Sequence, residues 1–363
     1  MMEAAEQLVV NRWLASVDEH KASDLLLSAG NPPTLRIQGK LFPLPNEALL
    51  VPDFMRRLSE SWLTPEQLKQ LDVQRQVSFG LTMANRRRFK IDTFYQSGFI
   101  SMTLRLVPDR IPAWDQLGLP RQVLPMADAE HGLVLVCGPF GSGRTTTVAA
   151  LVNYINRLKT KHIVTFEDPI EYQFADDHSV IEQRELRTDV PDLVKGLELL
   201  MNEDADVVVL TLGNQPEVAR RVMELVNAGR LVILTMNIHS GIQALQKFVL
   251  SFPEAEQGAV YIMLAQSLVG VMNQRVVPTL GGGQILAVEV ILPTEPVRTA
   301  LQSADIYKVG DLLHTQQAEG LQSLDQALAQ LVRNGDITRE TASSFALDQA
   351  ALSAYISATN QAA

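Results

Sequence analysis

The sequence has one cysteine, no long apolar run and no surplus of basic charge, and each shortage removes a class of explanation. Cys137 cannot form an internal disulfide framework by itself, which suits a reducing cytoplasm. It sits within an apolar run and reads as a small core residue. No apolar stretch approaches the roughly 18 residues that span a bilayer. The N-terminus also lacks the charged-then-apolar pattern of a signal segment. Direct membrane insertion is therefore not expected, although attachment to a membrane complex through other proteins stays open. A net charge of −10 argues against nucleic acid as the main partner, because phosphate backbones call for a basic surface. The one notable basic cluster, Arg86-Arg87-Arg88, reads first as a solvated strand end.

What remains is an ordinary folded composition, 46% hydrophobic and 20% charged, over 363 residues. That length exceeds one typical domain, so two globular units are the default. Before residue 107 the pattern mixes short strands and helices. Residues 25–27, 34–37 and 89–94 read as strands, separated by turn chemistry such as Gly30-Asn31-Pro32-Pro33. Residues 51–71 carry helical spacing. Pro108, Pro112 and Pro120 then crowd together and resist regular structure, which puts a domain boundary at about 107–120.

Beyond the boundary, four short apolar runs at 133–136, 163–166, 207–210 and 231–234 alternate with helical patterns. Strands apolar on both sides, separated by helices, predict an α/β fold with a parallel sheet covered on both faces. The helix after the first run places Val148, Leu151, Val152, Ile155 and Leu158 in one apolar stripe. Gly281-Gly282-Gly283 marks a hairpin before a strand at 285–292, and residues from about 296 onward read as helices with alanine-rich, polar faces.

Most of the chemistry lies in Gly138-Pro139-Phe140-Gly141-Ser142-Gly143-Arg144-Thr145-Thr146. The spacing Gly-x4-Gly-x-Thr, between a strand and a helix, is that of a phosphate-binding P-loop. Its glycines let successive N–H groups turn inward around anionic oxygens. The following helix aims its positive end at the same point. Thr145 offers a hydroxyl to Mg²⁺, while Arg144 stands where the motif asks for Lys. Lysine is a compact point charge, whereas arginine is a planar fork. The expectation is that nucleotide binds but is less well aligned for phosphoryl transfer.

Three further segments end predicted strands. Thr165-Phe166-Glu167-Asp168-Pro169-Ile170-Glu171 brings three carboxylates to the place where parallel sheets bind ligands. Glu167 is the candidate for orienting water or contacting Mg²⁺; a capped turn is the plainer alternative. Glu203-Asp204-Ala205-Asp206 precedes an apolar run that ends in Thr211, Leu212, Gly213 and Asn214, with no carboxylate until Glu217. A base is missing where phosphoryl chemistry expects one. Thr235-Met236-Asn237-Ile238-His239-Ser240 closes the fourth run with polar groups that could sense a γ-phosphate, His239 reading first as structural.

Across nearly its whole length the chain resembles the PilT/PilU branch of the secretion-system ATPase superfamily, the motors that retract type IV pili. The resemblance runs through Ala22-Ser23-Asp24-Leu25, Gly30-Asn31-Pro32-Pro33, Arg88-Phe89-Lys90 and Phe94-Tyr95-Gln96. It continues through the P-loop, the box Glu167-Asp168-Pro169-Ile170-Glu171, and Gln183-Arg184-Glu185. Phe252-Pro253-Glu254, Pro296-Val297-Arg298 and the run from Gly320 to Leu328 complete it. Phe94-Tyr95-Gln96 and Asp325-Gln326-Ala327-Leu328 lean mildly towards the accessory PilU side.

The resemblance implies an α/β, RecA-like P-loop NTPase motor domain at 111–295. An N-terminal PAS-like α+β domain would precede it at 1–110, and a C-terminal helical extension would follow at 296–363. It implies ATP and Mg²⁺ as cofactors, held between the two domains of a hexameric ring that works in the cytoplasm, peripheral to the inner-membrane pilus machine. The ring would be a homo-hexamer or mixed with an active paralogue, with an inner-membrane platform protein as partner. Basic residues of the N-terminal domain reach the phosphates in such rings, and Arg88 and Arg105 match those positions, while Gly98 stands where Arg is common.

The departures cluster in the nucleotide motifs. Arg144 replaces the P-loop Lys, Thr211-Leu212 the Walker B Gly-Glu, Asn214-Gln215 its downstream Arg-Asp, and Asn237 the box histidine. The pattern is that of a paralogue which binds adenine nucleotide, hydrolyses it weakly or not at all, and serves an active motor. Two other readings stay open: a working ATPase, and a scaffold of a pilus or type II secretion assembly that no longer binds nucleotide.

Overall fold

The computed structural model describes residues 2–37, 39–83, 87–107, 110–213, 215–315 and 320–358. They form two units, Met1–Arg110 with Asp168–Gln173, and Ile111–Glu167 with Phe174–Ala363.

The first unit contains β1 (Asp24–Ser28), β2 (Thr34–Ile37), β3 (Lys40–Pro43), β4 (Gln76–Thr82), β5 (Arg88–Gln96) and β6 (Phe99–Leu106). They make an antiparallel sheet in the order β3-β2-β1-β6-β5-β4. Alternation sets its buried face: Phe89, Ile91 and Thr93 of β5 point inward between partly exposed neighbours. Helix Ala4–Glu19 adds Trp13, edge-on to Phe54 at 5.7 Å. The helical spacing at 51–71 resolves into two helices, Pro52–Trp62 and Pro65–Gln74. Pro65 bars the preceding residue from helical geometry, so Leu63 and Thr64 are extended. Thr64 then caps the second helix: its Oγ1 accepts from Gln67 N at 3.3 Å, and Gln67 Oε1 accepts from Thr64 N at 3.0 Å.

The second unit contains β7 (Gly132–Cys137), β8 (His162–Glu167), β9 (Val180–Glu185), β10 (Val207–Leu212), β11 (Leu231–Met236), β12 (Leu268–Pro278), β13 (Gln284–Ile291) and β14 (Leu321–Gln322). Their order is β14-β13-β12-β7-β11-β10-β8-β9. The six strands from β12 to β9 run parallel, and β13 and β14 run antiparallel to their neighbours. Alternate residues of each central strand feed two different cores. Leu133, Leu135 and Cys137 join Val208, Leu210, Val232 and Leu234 on one face. Val134 and Val136 join Ile163, Val209 and Ile233 on the other. Burial on both faces is why these strands read as unbroken apolar runs. It also puts the carboxyl ends of β7, β11, β10 and β8 along one edge.

Helix Arg144–Leu158 buries Val148, Leu151, Val152 and Ile155, but Leu158 is 62% exposed, so the apolar stripe stops one turn short of the sequence expectation. The β12–β13 hairpin closes through Gly282, whose φ of +80° suits glycine. In the C-terminal part the alanine-rich pattern conceals two features. The short strand β14 extends the sheet, and Leu324, Ala327 and Leu328 of helix Leu324–Arg333 are buried against Val277 and Ala287 rather than solvated.

Candidate functional site

The glycine loop leaves β7 at Gly138, where the chain passes directly over β12. A Cβ on Gly138 would collide with Ser142 Oγ and come within 2.7 Å of the Gln274 carbonyl. Ser142 N donates to Pro139 O at 3.2 Å, tightening the turn. Gly143, at φ +82°, starts the helix, and a Cβ there would meet Gln274 Nε2 and Val276 at 3.2 Å. Backbone alone fits this space, which is the requirement for a loop that closes on an anion. The first-turn N–H groups of an α-helix point out of its N-terminus, here towards the loop.

Arg144 and Thr146 are half-buried in that first turn, Thr145 is exposed, and so are Phe140 and Gly141 on the loop's outer rim. Ser142 Oγ and Thr147 Oγ1 are buried with no protein hydrogen-bond partner. A cleft of about 540 Å³ adjoins the loop, lined by Gly141, Gly143, Thr146 and Thr147 with Val276 and Leu286. The close-packed glycine cradle, the helix start and the exposed Thr145 hydroxyl fit a phosphate chain. Among the described residues no three His, Cys, Asp or Glu side chains cluster to hold a metal by themselves.

Next along the edge, Thr235 is the penultimate residue of β11, beside the P-loop strand, and Thr211 that of β10, one strand further. Their hydroxyls hydrogen-bond to each other at 2.7 Å, a closed neutral pair next to Leu212, the position where the resemblance expects a carboxylate. Leu212 is buried in the core and adds no polar group. Asn214 lies outside the described residues. Glu167 ends β8, three strands from β7, which at sheet spacing is ~14 Å along the edge. Its Oε1 accepts from Thr165 Oγ1 at 2.7 Å and from Gln183 Nε2 at 3.0 Å. Asn237 and His239 are exposed in the loop after β11.

The rest of the acidic box belongs to the first unit. Arg88 Nε donates to Ile170 O at 3.1 Å, and Lys90 pairs with Glu171 at 2.8 Å. Arg105 pairs with the buried Asp24 at 2.9 Å, its own side chain remaining largely exposed. Arg87 pairs with Asp18 at 2.7 Å, so the basic cluster is partly neutralised rather than simply solvated. Arg86 lies outside the described residues.

The sequence reading passed over Asn273-Gln274-Arg275, although three polar residues in the middle of the apolar β12 are a legible signal. Gln274 Nε2 donates to Ser142 O at 2.6 Å, Asn273 Nδ2 to His239 O at 3.1 Å, and Arg275 Nη2 to the same His239 O at 2.6 Å. Across the ladder Glu289, opposite Asn273, accepts from Gly241 N at 2.6 Å. Burial pushes its carboxyl up to about 7, against the pull of Gly241 N–H, Asn273 and Arg275.

A parallel sheet with a glycine loop and helix start at its carboxyl edge defines a P-loop nucleotide-binding unit. Residues 101–304 match the family model described as type II/IV secretion system protein. The type IV pilus retraction ATPase PilT of Pseudomonas aeruginosa is 30% identical over 333 residues, covering 92% of this chain and 96% of PilT. The type IV pilus ATPase PilU of the same organism is 29% identical over 325 residues, covering 89% of this chain and 85% of PilU. The crystal structure of the pilus retraction motor PilT with bound ADP superposes with a TM-score of 0.85 at 33% identity, covering 94% of this chain and 97% of that one. The chain belongs to the type II/IV secretion ATPase family, in its PilT/PilU-like branch, with an N-terminal domain and a RecA-like motor domain.

Proposed function

We propose that this chain is a nucleotide-binding subunit of a type IV pilus retraction-type ring ATPase, with weak or no ATP hydrolysis, serving an active motor as an accessory or regulatory partner. The observation that carries the reading is at the end of β10, where the buried Leu212 stands at the position the resemblance gives to the Walker B Glu and the Thr211 hydroxyl beside it is bonded to Thr235 at 2.7 Å. Absence of a general base commonly costs about 10² to 10⁴ in rate. Glu167 is the remaining candidate, and two donors, Thr165 Oγ1 and Gln183 Nε2, already engage its Oε1.

The binding half of the site needs no such groups. N–H groups within residues 138–146 would hold the phosphates, with Arg144 supplying positive charge and the Thr145 hydroxyl facing Mg²⁺. Mg²⁺ held there would supply positive charge that neutralises the phosphates. Arg88 and Arg105 would reach phosphates in the assembled ring, a homo-hexamer or one mixed with an active paralogue. That ring would sit in the cytoplasm against an inner-membrane platform protein. The divisions 1–110, 111–295 and 296–363 are the corresponding functional parts.

A working motor is the second reading, favoured by Glu167 standing on the same carboxyl edge as the loop; Glu167 and Arg144 would then cover for the lost groups. A scaffold without nucleotide is the third. Equilibrium binding of a fluorescent ATP analogue with Mg²⁺ separates the scaffold from the other two. Steady-state phosphate release, compared with Glu167→Ala, separates motor from silent subunit. Brisk release abolished by that substitution overturns the proposal.

A further inference from the structure

Three consecutive residues of β12 touch two different loops. Gln274 points to one side of the strand and grips the P-loop at the Ser142 carbonyl. Asn273 and Arg275 point to the other side and share the His239 carbonyl, in the loop between β11 and helix Gly241–Leu250. The two sides are tied together, because Arg275 Nη1 donates to Asn273 Oδ1 at 3.1 Å and to the Gln274 carbonyl at 2.9 Å. That same carbonyl is the atom a Cβ on Gly138 would approach to 2.7 Å, so the P-loop entrance rests directly on it. All four side chains of the cluster, Glu289 included, are buried.

Burying an arginine is costly unless its N–H groups are satisfied, and here they are spent on the His239 and Gln274 carbonyls and on Asn273 Oδ1 instead of on a carboxylate. A guanidinium fork fixes direction as well as distance, so the loop at His239 is held in register with β12. Since β11 neighbours β7, that loop leaves the sheet next to the P-loop. From this connection we infer that Asn273 and Arg275 are positioning residues that, through the Gln274 carbonyl under Gly138, couple the P-loop to the 237–240 loop, so that the site distinguishes a nucleoside triphosphate from a diphosphate, while the Gln274 side chain anchors the P-loop. The inference rests on the nucleotide-binding reading given above. Gln274 governs how firmly the P-loop holds any phosphate chain. Arg275 and Asn273 govern whether the 237–240 loop meets the terminal phosphate.

The two roles predict different responses. Titration calorimetry would compare Mg-ADP with a Mg-bound non-hydrolysable ATP analogue, in the full chain and in Gln274→Met, Arg275→Met and Arg275→Lys. Coupling between sites is commonly fivefold or more, so Arg275→Met is expected to change the ATP-analogue to ADP affinity ratio by about fivefold with ADP affinity nearly unchanged. Arg275→Lys keeps the charge without the fork and moves the ratio in the same direction. Gln274→Met weakens both ligands together and leaves the ratio alone. An Arg275 variant with an unchanged ratio, or with both affinities reduced in proportion, overturns the coupling.

Amide exchange on the unmodified chain gives a test that no folding defect can obscure. The triphosphate analogue should protect Gly241 N–H, held by Glu289, more than ADP does, and equal protection overturns the inference. A chain that binds neither nucleotide overturns the function proposed above and this inference with it. Binding of both, with unchanged ratio and equal protection, overturns the coupling alone.

Discussion

The end of β7 and the ends of β10 and β11 are neighbours on one sheet edge, yet they carry different kinds of information. At β7 the working parts are backbone: Gly138 packed so closely on β12 that no side chain fits, Gly143 tight against the same strand, and a helix start behind them. At β10 and β11 the working parts are side chains, and those present are two hydroxyls bonded to each other. A backbone cradle persists while its glycines and its packing persist. Side-chain chemistry is lost with one substitution and costs the fold nothing. Binding and hydrolysis can therefore separate within one site, and perturbing each half should reveal the separation.

The largest effect should come from filling the cradle. Gly138→Val forces a side chain into Ser142 and the Gln274 carbonyl, and a fluorescent ATP analogue should bind on the order of 100-fold more weakly, the upper end of what an overpacked contact costs. Retained affinity would mean that the loop does not hold the phosphates.

Adding a carboxylate to the other half should act in the opposite sense. Leu212→Glu restores a carboxylate at the position that the resemblance gives to the Walker B Glu, and is expected to raise steady-state phosphate release about tenfold, a fraction of what a well-placed base supplies. An unchanged rate would show that the missing carboxylate is not what limits the reaction.

Arg144→Lys tests the loop's cation and should shift both nucleotide affinity and phosphate release by about tenfold or less, since a charged hydrogen bond is re-aimed rather than deleted. If neither quantity moves, the departure at 144 is harmless.

The smallest effect concerns the network behind both halves. Glu289 has its carboxyl raised to about 7 by burial, with Asp325 adding to the rise and Arg275 opposing it. A raised carboxyl stabilises the fold fully at pH below its unfolded value, and that stability is lost as pH rises through the folded value. The thermal midpoint should therefore fall between about pH 5 and pH 8, and Glu289→Gln should flatten that fall by about 2–4 °C. Parallel pH profiles for the two proteins would remove Glu289 from the account.

The legibility of the chain follows the same division. Strands buried on both faces announce themselves as continuous apolar runs, and the loop glycines as a spaced motif, because backbone requirements restrict residue choice locally. The helical spacing at 51–71 runs on across Thr64-Pro65, where proline geometry and a capping box divide it into two helices. Leu158 fits the periodicity yet lies at the helix end and stays 62% exposed. Gln183 on Glu167, and Asn273 and Arg275 on His239, depend on strands distant in sequence, so spacing alone could not pair them. The polar triplet inside β12 was visible, but its partners were not.

The most direct measurement is steady-state phosphate release by the purified chain at saturating Mg-ATP, taken together with equilibrium nucleotide binding on the same sample. Clear binding with release far below that of an active retraction motor assayed alongside is the predicted result. Release at the motor's own pace, abolished by Glu167→Ala, would contradict it.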